Sequence, residues 1–400
     1  MESRKNLIIL SAFWSGIQAY FLNGDTNFKG MPAFTNTFLR LLDDKRVNII
    51  YIIFFGNNIK TEYNIPKKYE HKVKVYGYSY TNKYSAFLSM LKIGIKISSL
   101  SFKHKIHFIY SHGPISGLAA IISNILRIPN YRRIYGTFLA RKINDSKLSV
   151  FLKHPLEYLA FSLPGKALIV TNDGTKGDIV YNKIGSKKLP FYFWLNGIEK
   201  SNHNIMNISK VSHKYNFGFK PNLCYIARID EWKRQHLLID ILIEAKNNGN
   251  IYNTLIAGPI INKNYFTRLK EKVKAAGLEK NIIIIPGLTK EESLSVIKNS
   301  ILSVSFYDFS NLGNVLLESL SLGTNMLTEN IEQSLDVIDK NVYYNVNPVN
   351  VKESAIVLEN ILTGKQLLKE KSIKAIEFSH NHLLTWEERA NKEINLVLGD

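Results

Sequence analysis

A single cysteine, Cys224, stands in 400 residues. No disulfide framework is possible, and a reducing compartment is expected. Set in the apolar run Leu223-Cys-Tyr-Ile-Ala, the thiol reads as a small buried hydrophobe rather than a nucleophile. No Gly-x-Gly-x-x-Gly follows any apolar run, which counts against a standard dinucleotide enzyme, and no Walker loop is present. No Cys/His cluster has metal-ligand spacing. No uninterrupted apolar run reaches the roughly 18–20 residues that span a bilayer, so any membrane contact is expected to be peripheral. The apolar stretch near the N-terminus is short and lacks a clean small-residue cleavage site; it reads as a first strand.

What is present is ample for folded cores: 45% of residues are hydrophobic and 12% aromatic, unlike a disordered chain. The length gives two or three domains as a prior. The net charge of +19 is unevenly placed. Residues 1–200 hold 29 Lys and Arg against 11 acidic residues, a balance of +18, whereas residues 201–400 hold 23 against 22. A basic half attracts anionic lipid head groups, nucleic acid or acidic carbohydrate.

Short apolar runs alternate with helix-like segments. Strands are expected near 6–12, 47–55, 73–76, 106–111, 132–135 and 167–171, with helices near 31–42, 84–99 and 115–126. The pattern restarts near residue 222. Strands near 223–227, 254–257, 282–286, 302–306 and 326–328 then alternate with helices near 234–247, 265–276, 291–298 and 315–322. The polar stretch 200–221 reads as a linker. Such alternation predicts an α/β protein with two parallel sheets, each covered on both faces, and a cleft between two domains of similar size.

In open parallel sheets ligands bind beyond the carboxyl ends of the strands, so each post-strand loop is a candidate. Arg228 and Lys233 lie five apart in the loop after residues 223–227, and a guanidinium fork with a flexible ammonium suits a diphosphate. A polar loop, Ser310-Asn-Leu-Gly, runs into an apolar helix carrying Glu318. Unpaired amides at such a helix start suit phosphate, and Gly313 would let backbone approach a sugar. A carboxylate just inside can accept hydrogen bonds from a ribose diol. His112 follows another strand in Tyr-Ser-His-Gly-Pro, Gly30 marks a tight loop entering a helix, and Arg132 and Arg133 read as part of a basic loop.

In combination and in this order the motifs resemble the GT-B glycosyltransferases, group 1, family 4. Lys29-Gly-Met-Pro-Ala is similar to the family's first glycine loop and Tyr110-Ser-His-Gly-Pro to its histidine loop. Ile134-Tyr-Gly-Thr-Phe, Trp194-Leu-Asn-Gly-Ile and Leu255-Ile-Ala-Gly-Pro resemble further signatures. Ala227-Arg-Ile-Asp-Glu-Trp-Lys is similar to the phosphate grip, Leu312-Gly-Asn-Val-Leu-Leu-Glu-Ser-Leu to the donor helix, and Trp386-Glu-Glu-Arg to the final helix that crosses back. One departure stands out: the family's pair of glutamates with seven residues between them is here Ser310 and Glu318, with Asp308 two residues before the serine.

The resemblance implies two Rossmann-like domains facing across a cleft, at 1–205 with a crossover helix at 380–400, and at 206–379. It implies a retaining transferase moving a sugar from a nucleoside diphosphate to an acceptor hydroxyl without metal or other cofactor. Arg228 and Lys233 would hold the diphosphate, and Glu318 the ribose. The backbone at Leu312, Gly313 and Asn314, with Ser310 and Asn311, would face sugar and phosphate. His112 would contact the transferred sugar, and Gly30 would leave room for the phosphates. The basic half would face a lipid-linked or surface-polysaccharide acceptor, such as capsule or lipopolysaccharide, from the cytoplasmic side of an anionic plasma membrane; nucleic acid is not expected. Rival readings are a nucleotide-sugar epimerase of the same fold, a transferase acting on nucleic acid, and a non-catalytic membrane scaffold.

Overall fold

The computed structural model describes residues 4–12, 20–22, 24, 32–57, 59, 62–199, 205–310, 312–329 and 337–399. Gly30 and Asn311 lie outside the described residues. The chain divides into two compact units. The first comprises 1–172, 176–197 and 386–400; the second comprises 173–175 and 198–385. The division therefore falls between Gly197 and Ile198 rather than at 205, and the returning segment starts at Trp386 rather than 380.

Among the described residues the first unit holds seven parallel strands: β1 Lys5–Ala12, β2 Val47–Asn57, β3 Val73–Tyr80, β4 Phe108–His112, β5 Asn130–Ile134, β6 Ala167–Thr171 and β7 Phe191–Trp194. Their order is β3-β2-β1-β4-β5-β6-β7, all pairs parallel. The second unit holds β8 Leu223–Ile226, β9 Thr254–Ala257, β10 Ile282–Ile285, β11 Leu302–Ser305, β12 Asn325–Glu329 and β13 Tyr344–Val346, in the order β10-β9-β8-β11-β12-β13. That is the doubly wound order, with the direction of winding reversing between β8 and β11. The runs β4, β6, β8, β9 and β11 are buried along their whole length, as strands covered on both faces must be.

The polar stretch expected as a linker is in part folded. Ile208–Tyr215 is a helix capped by the Asn207 side chain, and its Val211 is fully buried in the second core. Arg132 and Arg133 are not a basic loop: both lie on β5 with exposures of 0% and 1%. Arg132 stays charged in the interior by donating to the carbonyls of Ala160, Leu163 and Pro164 at a helix C-terminus and to Asn130 Oδ1. The helix expected near 84–99 runs over Lys83–Lys103 and, although lysines interrupt its apolar runs, is by length and composition long and apolar enough to cross a membrane.

Candidate functional site

In the second unit the site is built where the winding reverses. β8 ends at Ile226, and the loop after it carries Arg228 and a one-turn 3₁₀ helix, Glu231–Lys233. This loop is fixed by groups far along the chain. The Tyr225 hydroxyl donates to the Lys233 carbonyl and accepts from the Phe306 amide, tying the loop to the end of β11. Gln235 Nε2 donates to the Arg228 carbonyl at 2.8 Å. Gly258 completes the floor: a Cβ there would stand 1.8 Å from the Ala227 carbonyl oxygen, so only glycine lets the β9 turn lie against the loop.

Lys233 is 8% exposed, with its ammonium 3.5 Å from the Tyr307 ring centre and 3.7 Å from that of Trp232. Burial, with the Arg228 charge second, brings its pKa down to about 7; Asp173 and Asp230 pull the other way and do not prevail. Among the described residues neither Arg228 nor Lys233 has a carboxylate within ion-pair distance, although Arg228 lies 5.4 Å over Trp232. Two neighbouring cations without an anion, one of them buried, constitute an anion site in waiting.

The third component is the helix Asn314–Ser321. Its N-cap is Gly313, which brings no side chain to satisfy the first amides. Arg228, Lys233, Tyr307, Ser310, Gly313, Asn314 and Val315 together line one cavity of about 340 Å³. The helix dipole therefore adds to the two cations. Gly313 is not forced by the fold, since a Cβ there meets nothing nearer than the Ser310 carbonyl at 3.9 Å. What it contributes is open backbone facing the cavity.

Two expectations are revised. The Leu312 amide does not face a ligand: Leu312 is fully buried and its N–H donates to the Asp173 carbonyl. Glu318 does not line the cavity; it is 3% exposed and paired with Lys290. Burial nevertheless keeps its carboxyl above the usual range, with Lys290 only partly offsetting it. Lys290, at the first turn of Lys290–Asn299 behind a Thr289 capping box, carried no signal of its own in the sequence. Ser310 sits at φ 61° and donates to Asp173 Oδ2 at 2.8 Å, so a carboxylate is present beside the position where the family has a glutamate. Asp308 is exposed and outside the cavity lining, its amide donating to the Trp232 carbonyl.

His112 belongs to the first unit. It is the last residue of β4 rather than a loop residue, 2% exposed, with Nδ1 at 2.8 Å from the Tyr135 hydroxyl. Phe34, Tyr110 and Tyr135 enclose the ring. Burial lowers its pKa to about 3, so it is neutral at physiological pH and suited to hydrogen bonding rather than proton storage. Behind it Glu393, on the helix Trp386–Leu398, is clamped by Arg133 at 3.1 Å and Arg389 at 2.8 Å, and accepts from the Tyr110 hydroxyl. Burial opposes ionisation of Glu393, but the two guanidiniums hold its carboxyl below the usual range. Two motifs prove to be partners here. The Arg389 guanidinium lies 4.5 Å over Trp194 and donates to the Leu195 carbonyl, and Gly197 has no room for a Cβ against Trp386. Among the described residues no group of three or more His, Cys, Asp or Glu is placed to hold a metal.

Residues 210–378 match the family model described as glycosyl transferases group 1. No curated protein matches the chain significantly. Among solved structures the chain is similar to HepE of Anabaena in complex with UDP and glucose, with a TM-score of 0.70, 14% identity and 99% of each chain covered. It is similar also to sucrose-phosphate synthase of Thermosynechococcus elongatus, with a TM-score of 0.68, 14% identity and 98% of each chain covered. WaaG, a glycosyltransferase involved in lipopolysaccharide biosynthesis, aligns with a TM-score of 0.65 and 13% identity over 98% of this chain and 100% of that one. At such identities the likeness is one of fold. The family match falls within the unit that holds the cationic cavity, and the likeness over the whole chain is to the two-domain GT-B fold of these glycosyltransferases.

Proposed function

We propose that this chain is a glycosyltransferase that moves a sugar from a nucleoside diphosphate to an acceptor hydroxyl with retention at the anomeric carbon and without a metal. The observation that carries the donor is the uncompensated pair Arg228 and Lys233 beside the Gly313-capped helix start, all around one cavity. In the transfer, the bond from the anomeric carbon to the phosphate oxygen breaks and a bond from that carbon to the acceptor oxygen forms. The acceptor proton goes to the departing phosphate. Negative charge grows on that phosphate as the bond breaks, and the two cations with the helix amides stabilise it where other enzymes use a metal. His112, neutral and fixed by Tyr135, serves as a hydrogen-bond partner for a sugar hydroxyl.

The acceptor follows from the charge asymmetry and from the class of the WaaG neighbour: a lipid-linked or surface-polysaccharide glycan, reached from the cytoplasmic side of an anionic membrane. The test of the donor half is a screen of UDP-, GDP-, ADP- and CMP-sugars by thermal shift and turnover, since a ligand of the folded state raises the melting temperature. One donor should stabilise the wild type, be turned over in chelator, and give product of unchanged anomeric configuration by proton NMR. Turnover that requires added metal, or an inverted product, would overturn this reading.

A further inference from the structure

The helix Lys83–Lys103 carries two apolar stripes on opposite faces. One, with Ile93, Ile97 and Leu100, is buried in the first core. The other consists of Tyr84, Phe87, Leu88, Leu91, Ile95 and Phe102, exposed from 38% at Leu88 to 87% at Phe102. At about 100° per residue these six lie within roughly 60° of a single line along the helix, which runs about 27 Å from Tyr84 to Phe102. A stripe of this size in water calls for an occupant.

Charge identifies it. No acidic residue occurs from 71 to 144, whereas twelve Lys and Arg do. Lys92, Lys96 and Lys103 run along one flank of the stripe, and Lys105 follows the helix. Isologous pairing with a second copy would bring lysine rows together with no carboxylate to offset them. Insertion across a bilayer is excluded because the opposite stripe belongs to the core. Aromatic side chains at both ends and lysines alongside are the composition of a helix lying in a lipid interface.

We infer that the exposed stripe of Lys83–Lys103 is a docking surface for an anionic lipid bilayer. The stripe lies in the plane of the head groups, with lysines 92, 103 and 105 on the phosphates. This deepens the acceptor side of the proposed function but rests on the first unit's surface alone, so its failure would leave sugar transfer standing. Lipid docking would hold the enzyme where a lipid-linked acceptor is found.

The experiment is co-sedimentation of the full chain with vesicles of phosphatidylcholine alone or with about one third phosphatidylglycerol, at low salt and at about 0.5 M salt. The wild type should bind only the anionic vesicles and should be largely released by salt. The double substitution Ile95→Gln/Phe102→Gln should weaken binding by about 10–100-fold. Its melting temperature and its turnover of soluble donor should stay at wild-type values, since neither residue packs in the core or lines the cavity. Equal binding by both proteins would overturn the proposal. So would a wild type that is dimeric by sedimentation, becomes monomeric in the variant and ignores vesicles, because the stripe would then pair with another copy.

Discussion

If Lys233 is held near pKa 7 by burial and by Arg228, binding a nucleoside diphosphate must cost a proton from solution. In the empty protein the ammonium lies below its unfolded pKa, so the unfolded chain binds more protons between about pH 7 and 10.5, and the empty enzyme gains stability as pH rises through that window. A diphosphate reverses the balance: opposite charge favours the ammonium and returns its pKa toward the ordinary lysine value. At pH 8, a group of pKa about 7 is about one tenth protonated, so binding should take up about 0.9 proton. Affinity should then fall about tenfold per pH unit between pH 7.5 and 9. The assay is isothermal titration calorimetry at pH 8 in buffers of different ionisation enthalpy, using whichever of UDP, GDP or ADP binds tightest. The terminal phosphate is already ionised at that pH, so it does not contribute. Lys233→Met, which keeps the packing between Trp232 and Tyr307, should abolish the uptake and flatten the pH dependence. Uptake near zero in the wild type, or equal uptake in the variant, would refute the claim that Lys233 meets the phosphate.

Two further outcomes follow from the loop and its surroundings. Lys290→Ala leaves Glu318 buried without its partner and should destabilise the protein by about 3 kcal/mol, read by urea unfolding, while Lys290→Met/Glu318→Gln should recover most of that loss; a silent single substitution would mean the pair is solvated. Gly258→Ala drives a methyl into the Ala227 carbonyl and should cost about 1–3 kcal/mol, and it should weaken nucleotide binding more than it lowers the melting temperature of the rest of the chain.

Much of this is legible in the sequence. The alternation of apolar runs and helical periods marks the elements, and the loops after 226 and 305 carry the cations and lead into the helix Asn314–Ser321. What escaped were partners distant in sequence. Lys290 for Glu318, Asp173 for Ser310, and the clamp of Arg133 and Arg389 on Glu393 are set by tertiary packing, and single charged residues in surface-like contexts give no local signal of burial. Arg132 and Arg133 misled for the same reason: charged residues are seldom buried, so a pair of arginines reads as a loop unless the carbonyls and carboxylate that receive them are known. The resemblance implies a ligand-facing amide at Leu312, but the Asp173 carbonyl that claims it lies well over a hundred residues away.

The most direct test of the central claim compares the affinity of the nucleoside diphosphate with that of the bare nucleoside, in the wild type and in Arg228→Ala/Lys233→Ala. Two charge contacts, one of them from the buried Lys233, predict that the diphosphate binds at least about 100-fold tighter than the nucleoside in the wild type, and less than about tenfold tighter in the double variant. A ratio that survives removal of both cations would contradict the account.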